Sequence, residues 1–145
     1  MVLLAIACTA ALSITAYFSR GEVTLDSAAA LLTEDLRTAQ ARAALMRRPV
    51  MFHFDRDGGG YECVDMPRNA ELVEAERPGP RRLYDRDGVF EGVRITRVDL
   101  AGRDHVLFQP DGSVAFGGRI TLGFEGDSRT VELESGRSWI RLAPP

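Results

Sequence analysis

Residues 2–18 carry no charged side chain, and the first arginine is Arg20. A run of this length, dominated by Leu, Ile, Val, Ala and Phe, sits at the lower limit of about 17–25 residues for a membrane-spanning helix. No basic stretch precedes it to orient it in a bilayer. A cleaved secretory signal would need a basic n-region and a small-x-small cleavage site. The first is absent and the best site, after Ala16, is poor. Lipidation at Cys8 fits worse still, since "AIAC" lacks a branched residue three positions before the cysteine. The segment is expected to be a membrane helix carried by Val2, Leu3, Leu4, Ala5, Ile6, Ala7, Ala10, Ala11, Leu12 and Ile14.

Past the interruption Ser19-Arg20-Gly21-Glu22, the residues Leu25, Ala29, Leu32, Leu36, Ala39, Ala43 and Met46 recur at alternating spacings of four and three. That spacing predicts one face of a helix. Asp26, Thr33, Glu34, Arg37, Gln40, Arg42 and Arg47 cover the other sides, and Pro49 ends the element. Gly21 costs only about 1 kcal/mol in a helix interior, so the apolar and amphipathic parts can form one rod. The alanines in the stripe allow close approach to a sheet.

From Val50 onward the period changes to two. "VMFHF" alternates Val50, Phe52 and Phe54 inward, and Asp57-Gly58-Gly59-Gly60 turns the chain into "YECVD". Further strands are expected at "VRITRVDL", "HVLFQ", "SVAF", "RITLGFE", "RTVELE" and "SWIRLA", separated by glycine turns. Pro67 to Pro80 reads as a loop with at most a short strand at Glu71 to Ala75. Ile120, Leu122, Phe124, Val131, Leu133, Ile140 and Leu142 would form one buried face, covered by the helix stripe. The expected class is α+β, a long N-terminal helix packed on a C-terminal antiparallel sheet or sandwich. Its parts are an apolar helix at 1–19, an amphipathic helix at 20–48 and a β-rich head at 49–145.

Composition bounds the chemistry. A formal net charge of -3 supplies no basic field for nucleic acid. All the basic residues are arginine, which reads as genome composition rather than as anion recognition. Between Ala101 and Pro145 five Arg face six Asp plus Glu, so no DNA-catching face is expected. His53 and His105 are the only histidines and have no zinc spacing with Cys63. "DRDG" occurs at Asp55 to Gly58 and again at Asp85 to Gly88, but Asp-Gly is ordinary turn chemistry and the ligand pattern of a calcium loop is missing. The glycines at 58–60 and 117–118 open no helix after a strand, which excludes a phosphate loop. No enzyme, cofactor, metal or small-molecule substrate is expected. Cys8 and Cys63 are not expected to pair.

The order of these features resembles the GspH/FimT family of type IV pilin-like proteins. The features that carry the resemblance are the apolar helix, then "LDSAAALLTEDLRTAQARAALMRRPVMFHF", then "VLFQPDGSVAFGGRITLGFEGDSRTVELESGRSWIRL". Within them Leu32, Leu36, Ala41-Arg42, Arg47-Arg48 and Pro49-Val50 match the amphipathic segment and first strand. Phe108, Pro110, Gly112 and Gly136-Arg137 match the tail. The resemblance implies a pseudopilin or minor pilin of a type II secretion or type IV pilus machine, anchored by a single pass in the bacterial inner membrane with its head in the periplasm. Its implied partners are other pilin-like subunits, with Pro67 to Asp87 as a partner-contacting loop. The family's basic leader, cleavage-site glycine, N-methylated phenylalanine and following glutamate are missing ahead of "VLLAIA", so the native start is expected upstream of Met1. The alternative is a membrane-tethered or secreted β-sandwich that binds a ligand or protein.

Overall fold

The computed structural model describes the backbone at residues 2–66, 78–136 and 139–144, and side chains from residue 23 onward except at 78–80. One helix, α1 (Val2–Met46), runs through both the apolar and the amphipathic parts, about 68 Å at 1.5 Å per residue. It stops where Arg47 takes the left-handed conformation (φ 50). The Arg48 N–H then donates to the Ala43 carbonyl at 3.3 Å, the bond that closes a Schellman cap. Pro49 prevents any restart.

Eight strands follow among the described residues: β1 (Val50–Phe54), β2 (Gly60–Asp65), β3 (Pro78–Leu83), β4 (Arg94–Asp99), β5 (His105–Phe108), β6 (Gly118–Phe124), β7 (Asp127–Leu133) and β8 (Ile140–Leu142). They form two four-stranded antiparallel sheets, ordered β3-β2-β1-β5 and β4-β6-β7-β8. The β1–β2 turn docks onto the second sheet, where the Ile95 N–H donates to the Gly58 carbonyl at 2.9 Å. Gly58 has φ +73, and a Cβ there would overlap the Ile95 carbonyl, so the contact needs glycine.

The helix packs across both sheets, against β6, β7 and β8 of one and β1 and β5 of the other. Leu25, Ala28, Ala29, Leu32, Leu36, Ala39 and Ala43 are buried there with Val50, Phe52, Val106, Phe108, Ile120, Leu122, Val131, Leu133 and Ile140. Aromatic rings continue the core away from the helix. Phe52 stacks on Tyr61 at 4.7 Å, and Tyr61, Tyr84 and Phe90 meet edge to face.

Four local expectations are corrected. Pro78–Leu83 is a strand rather than loop; it lies at the sheet edge, where proline's missing donor is tolerated, and its register shifts between Glu62 and Val64. "SVAF" is reduced to a single bridge, Phe108 to Val114. The local turn wins there: Asp111 Oδ1 accepts from both the N–H and the hydroxyl of Ser113. Leu142, the last residue of a three-residue edge strand, is 39% exposed. Phe124 is only half-buried, against Gly92. The short strand expected at Glu71 to Ala75 lies outside the described residues.

Candidate assembly surface

Helix α1 presents two faces to two environments. Inward, the stripe from Leu25 to Ala43 is buried. Met46, assigned by its spacing to the same stripe, is 39% exposed instead, because the helix ends there and the cap turns the chain away. Thr33, expected on the polar side, is buried and returns its hydroxyl to the Ala29 carbonyl at 2.8 Å. The residues Val2 to Ile14 lie on the helical backbone, and their side chains are outside the described residues. Among the described residues no helix is long and apolar enough to cross a membrane.

Polar clamps lock this helix to the head. Asp35 Oδ2 accepts from the Tyr61 hydroxyl at 2.7 Å and from Arg82 Nε at 3.1 Å. Two turns on, Arg42 Nη2 donates to Asp65 Oδ2 at 2.6 Å, and that bond raises the Arg42 pKa. Arg37 donates to the Ile140 carbonyl at 3.1 Å and Gln40 to the Gly112 carbonyl at 2.7 Å. Arg129 Nε donates to Asp26 Oδ1 at 2.5 Å. Sequence reading missed Asp35, Tyr61, Asp65 and Arg82 as a group. The available signal was that Asp35 and Arg42 stand seven residues apart, on the helix flank beside the apolar stripe.

Outward, Val23, Ala30, Glu34, Thr38, Ala41 and Leu45 are exposed at helical spacing. Leu45 is 86% exposed and Val23 64%, so this face carries apolar side chains that nothing in the described residues covers. A second exposed apolar site lies on the outer face of the β6-β7-β8 sheet, where Trp139 is 59% exposed. Beside it Glu132 takes Arg119 Nε on Oε1 at 3.1 Å and Arg141 Nε and Nη2 on Oε2 at 3.0 and 2.8 Å. The Arg141 hydrogen bonds, with the charges of both arginines, hold the Glu132 carboxyl below the usual glutamate range.

Cys63 is a buried free thiol, and burial pushes its pKa up to about 11, which suppresses the thiolate. His105 Nδ1 meets Asp104 at 3.0 Å on the surface. In the two "DRDG" turns Asp57 Oδ1 accepts the Gly59 N–H and Asp87 Oδ1 the Val89 N–H, which is turn chemistry. No group of three or more His, Cys, Asp or Glu side chains among the described residues could hold a metal. Of the expected partner loop Pro67 to Asp87, residues 67–77 lie outside the described residues. The remainder is β3 and a turn of 3₁₀ helix at Tyr84–Arg86.

A family model described as type II transport protein GspH matches residues 28–136. No curated protein matches the chain. The fold is similar to two crystal forms of the type IV minor pilin FimU from Pseudomonas aeruginosa strain PAO1. One gives a TM-score of 0.62 at 19% identity, covering 88% of this chain and 92% of that one. The other gives 0.53 at 17% identity, covering 83% and 93%.

Proposed function

Because the chain belongs to the GspH family of type II transport proteins, we propose that it is a pilin-like structural subunit, a pseudopilin or minor pilin, of a type II secretion or type IV pilus machine. Residues 2–18 anchor it by a single pass in the inner membrane before assembly, with the head in the periplasm. On assembly the same helix leaves lipid for a bundle of neighbouring pilin helices. A helix apolar all round can exchange lipid contacts for helix contacts, and small residues such as Ala5, Ala7, Ala10 and Ala11 permit close approach. The subunit is scaffold, not enzyme.

The observation that carries this reading is the division of one continuous helix. Its C-terminal half is clamped into the head from Leu25 to Ala43, while its outer side keeps Val23, Ala30, Ala41 and Leu45 exposed. A rod fixed rigidly to its head transmits assembly forces along its length, and an apolar outer face is suited to other pilin-like subunits. The mass and N-terminal sequence of the protein from native membranes test the reading. A longer chain beginning at an N-methylated phenylalanine is expected. A native chain beginning at Met1, or after Ala16, would leave the tethered or secreted binding module as the better account.

A further inference from the structure

The only two histidines of the chain meet on the outer face of the first sheet. β1 buries Val50, Phe52 and Phe54 and leaves His53 half-buried, and β5 buries Val106 and Phe108 and leaves His105 half-buried. His53 stands directly opposite His105 in the register of the two strands. The Phe54 N–H donates to the Asp104 carbonyl at 3.4 Å, while the Leu107 carbonyl turns away from β1 to accept from the Ala115 N–H at 2.9 Å. Positions in an antiparallel ladder alternate, so residues 53 and 105 form a non-hydrogen-bonded pair. Side chains lie closest in pairs of this kind, with Cβ atoms about 4.5–5.5 Å apart.

Neighbouring groups set the chemistry of this pair. His105 Nδ1 lies 3.0 Å from Asp104 Oδ1. An ionised carboxylate only accepts, so Nδ1 carries the proton and Nε2 keeps its lone pair. A carboxylate placed behind an imidazole in this way fixes the ring and raises its basicity toward a metal ion. On the other side of His53 stands Glu62, which faces Arg81 at 4.0 Å. No third ligand converges on the pair among the described residues, so the remaining coordination positions are open to water. One ion held by two imidazoles at about 2.0–2.1 Å each keeps the two nitrogens within about 4 Å of each other, a separation that rings on Cβ atoms this close can adopt.

We infer that His53 and His105 form a two-imidazole site for a divalent transition-metal ion, with Asp104 as the residue that positions His105. Imidazole ligands suit Cu²⁺, Ni²⁺ and Zn²⁺, and the order of affinities among these ions puts Cu²⁺ first. Ca²⁺ and Mg²⁺ take oxygen ligands and are refused. The bound ion joins β1 to β5, a strand of four residues at the edge of its sheet, and so pins that edge to the rest of the head. The site stands apart from membrane anchoring and subunit assembly, and neither of those readings is needed for it. Its two ligands are 52 residues apart in the chain, and only the pairing of β1 with β5 brings them together.

Titration of the full chain with Cu²⁺ alone tests the site, on a parent carrying Cys8→Ser so that no thiolate outside the head competes. One equivalent is expected to bind, with an electron paramagnetic resonance spectrum that shows coupling to two imidazole nitrogens. Asp104→Asn should weaken binding about tenfold, the usual cost of losing a carboxylate behind a metal-bound imidazole, and His53→Gln or His105→Gln should weaken it by more. Because the ion binds the paired strands and not the unfolded chain, Cu²⁺ should raise the urea midpoint of the parent and leave those of the two glutamine variants unchanged. Circular dichroism without metal reports whether the variants fold, and the spectrum of the parent decides the ligand set even where they do not. Parental affinity in both glutamine variants, coupling to one nitrogen or none, or equal competition by Ca²⁺ would overturn the site. Unchanged affinity in Asp104→Asn would overturn the positioning role of Asp104.

Discussion

The Tyr61 hydroxyl donates to Asp35 Oδ2 at 2.7 Å, tying β2 to the C-terminal half of helix α1 across 26 residues of chain. Arg82 from β3 converges on the same oxygen at 3.1 Å. Asp35 is only 16% exposed at its side chain, and its Oδ2 accepts from both the hydroxyl of buried Tyr61 and the half-buried Arg82 guanidinium. This clamp holds the first sheet against a helix that the second sheet also grips.

Removing the acceptor should therefore cost more than removing one donor. Asp35→Ala is expected to destabilise the head by about 2–4 kcal/mol, because it leaves the Tyr61 hydroxyl and the Arg82 guanidinium unpaired near the core. Tyr61→Phe, which leaves Arg82 on Asp35, is expected to cost about 1–2 kcal/mol. Urea unfolding followed by circular dichroism checks the order. Equal losses for the two variants would show that Arg82 contributes nothing to the clamp.

The two faces of the helix predict opposite phenotypes for the same substitution. Leu36→Ala opens a cavity at a fully buried position and is expected to cost about 2–5 kcal/mol. Leu45→Ala, at an 86% exposed position, should change stability by less than about 0.5 kcal/mol yet lower recovery of the chain with other pilin-like subunits. Denaturation midpoints and co-purification from membranes, measured on both variants, read the difference.

At the end of the helix, Arg47 holds φ 50, a conformation that glycine adopts without strain. Arg47→Gly is expected to raise stability by about 0.5–1 kcal/mol, the relief of left-handed strain exceeding glycine's greater entropy in the unfolded chain. A lower urea midpoint for this variant would mean that the arginine side chain contributes more than the backbone conformation costs.

Acid should weaken the β6-β7-β8 face. The Arg141 hydrogen bonds and the two arginine charges hold the Glu132 carboxyl below its ordinary range, so its folded pKa lies below the unfolded value of about 4.3. The ionised group therefore adds stability above that unfolded value, and the contribution is lost as pH falls through the lowered folded value. The urea midpoint of the wild type is expected to drop on acidification below about pH 5, and that of Glu132→Gln to drop less. Parallel acid profiles for the two proteins would contradict the assignment.

Most of the framework was legible because it is written in local periods. Leu25 to Ala43 repeat at three and four, Val50-Phe52-Phe54 and Ile120-Leu122 repeat at two, and Asp-Gly pairs mark turns, all within a few residues of one another. The misreadings have two causes, a partner distant in sequence at β3 and a competing local turn at "SVAF". Pro78 and Pro80 argue against a strand until β2 supplies an edge that needs no donor from them. "SVAF" alternates like a strand, yet Asp111 captures Ser113 and curls the chain first.

What the chain carries in its own order of residues is a helix of two characters, a change of period at Val50 and the family to which that order belongs. Local sterics and the spacing of apolar side chains suffice for these. The division of eight strands into two sheets, the clamps of Asp35 on Tyr61 and Arg82 and of Arg42 on Asp65, and the exposure of Leu45, Val89 and Trp139 arise only when distant segments meet. Burial and hydrogen-bond satisfaction belong to pairs of surfaces, and a linear chain does not specify those pairs until it has folded.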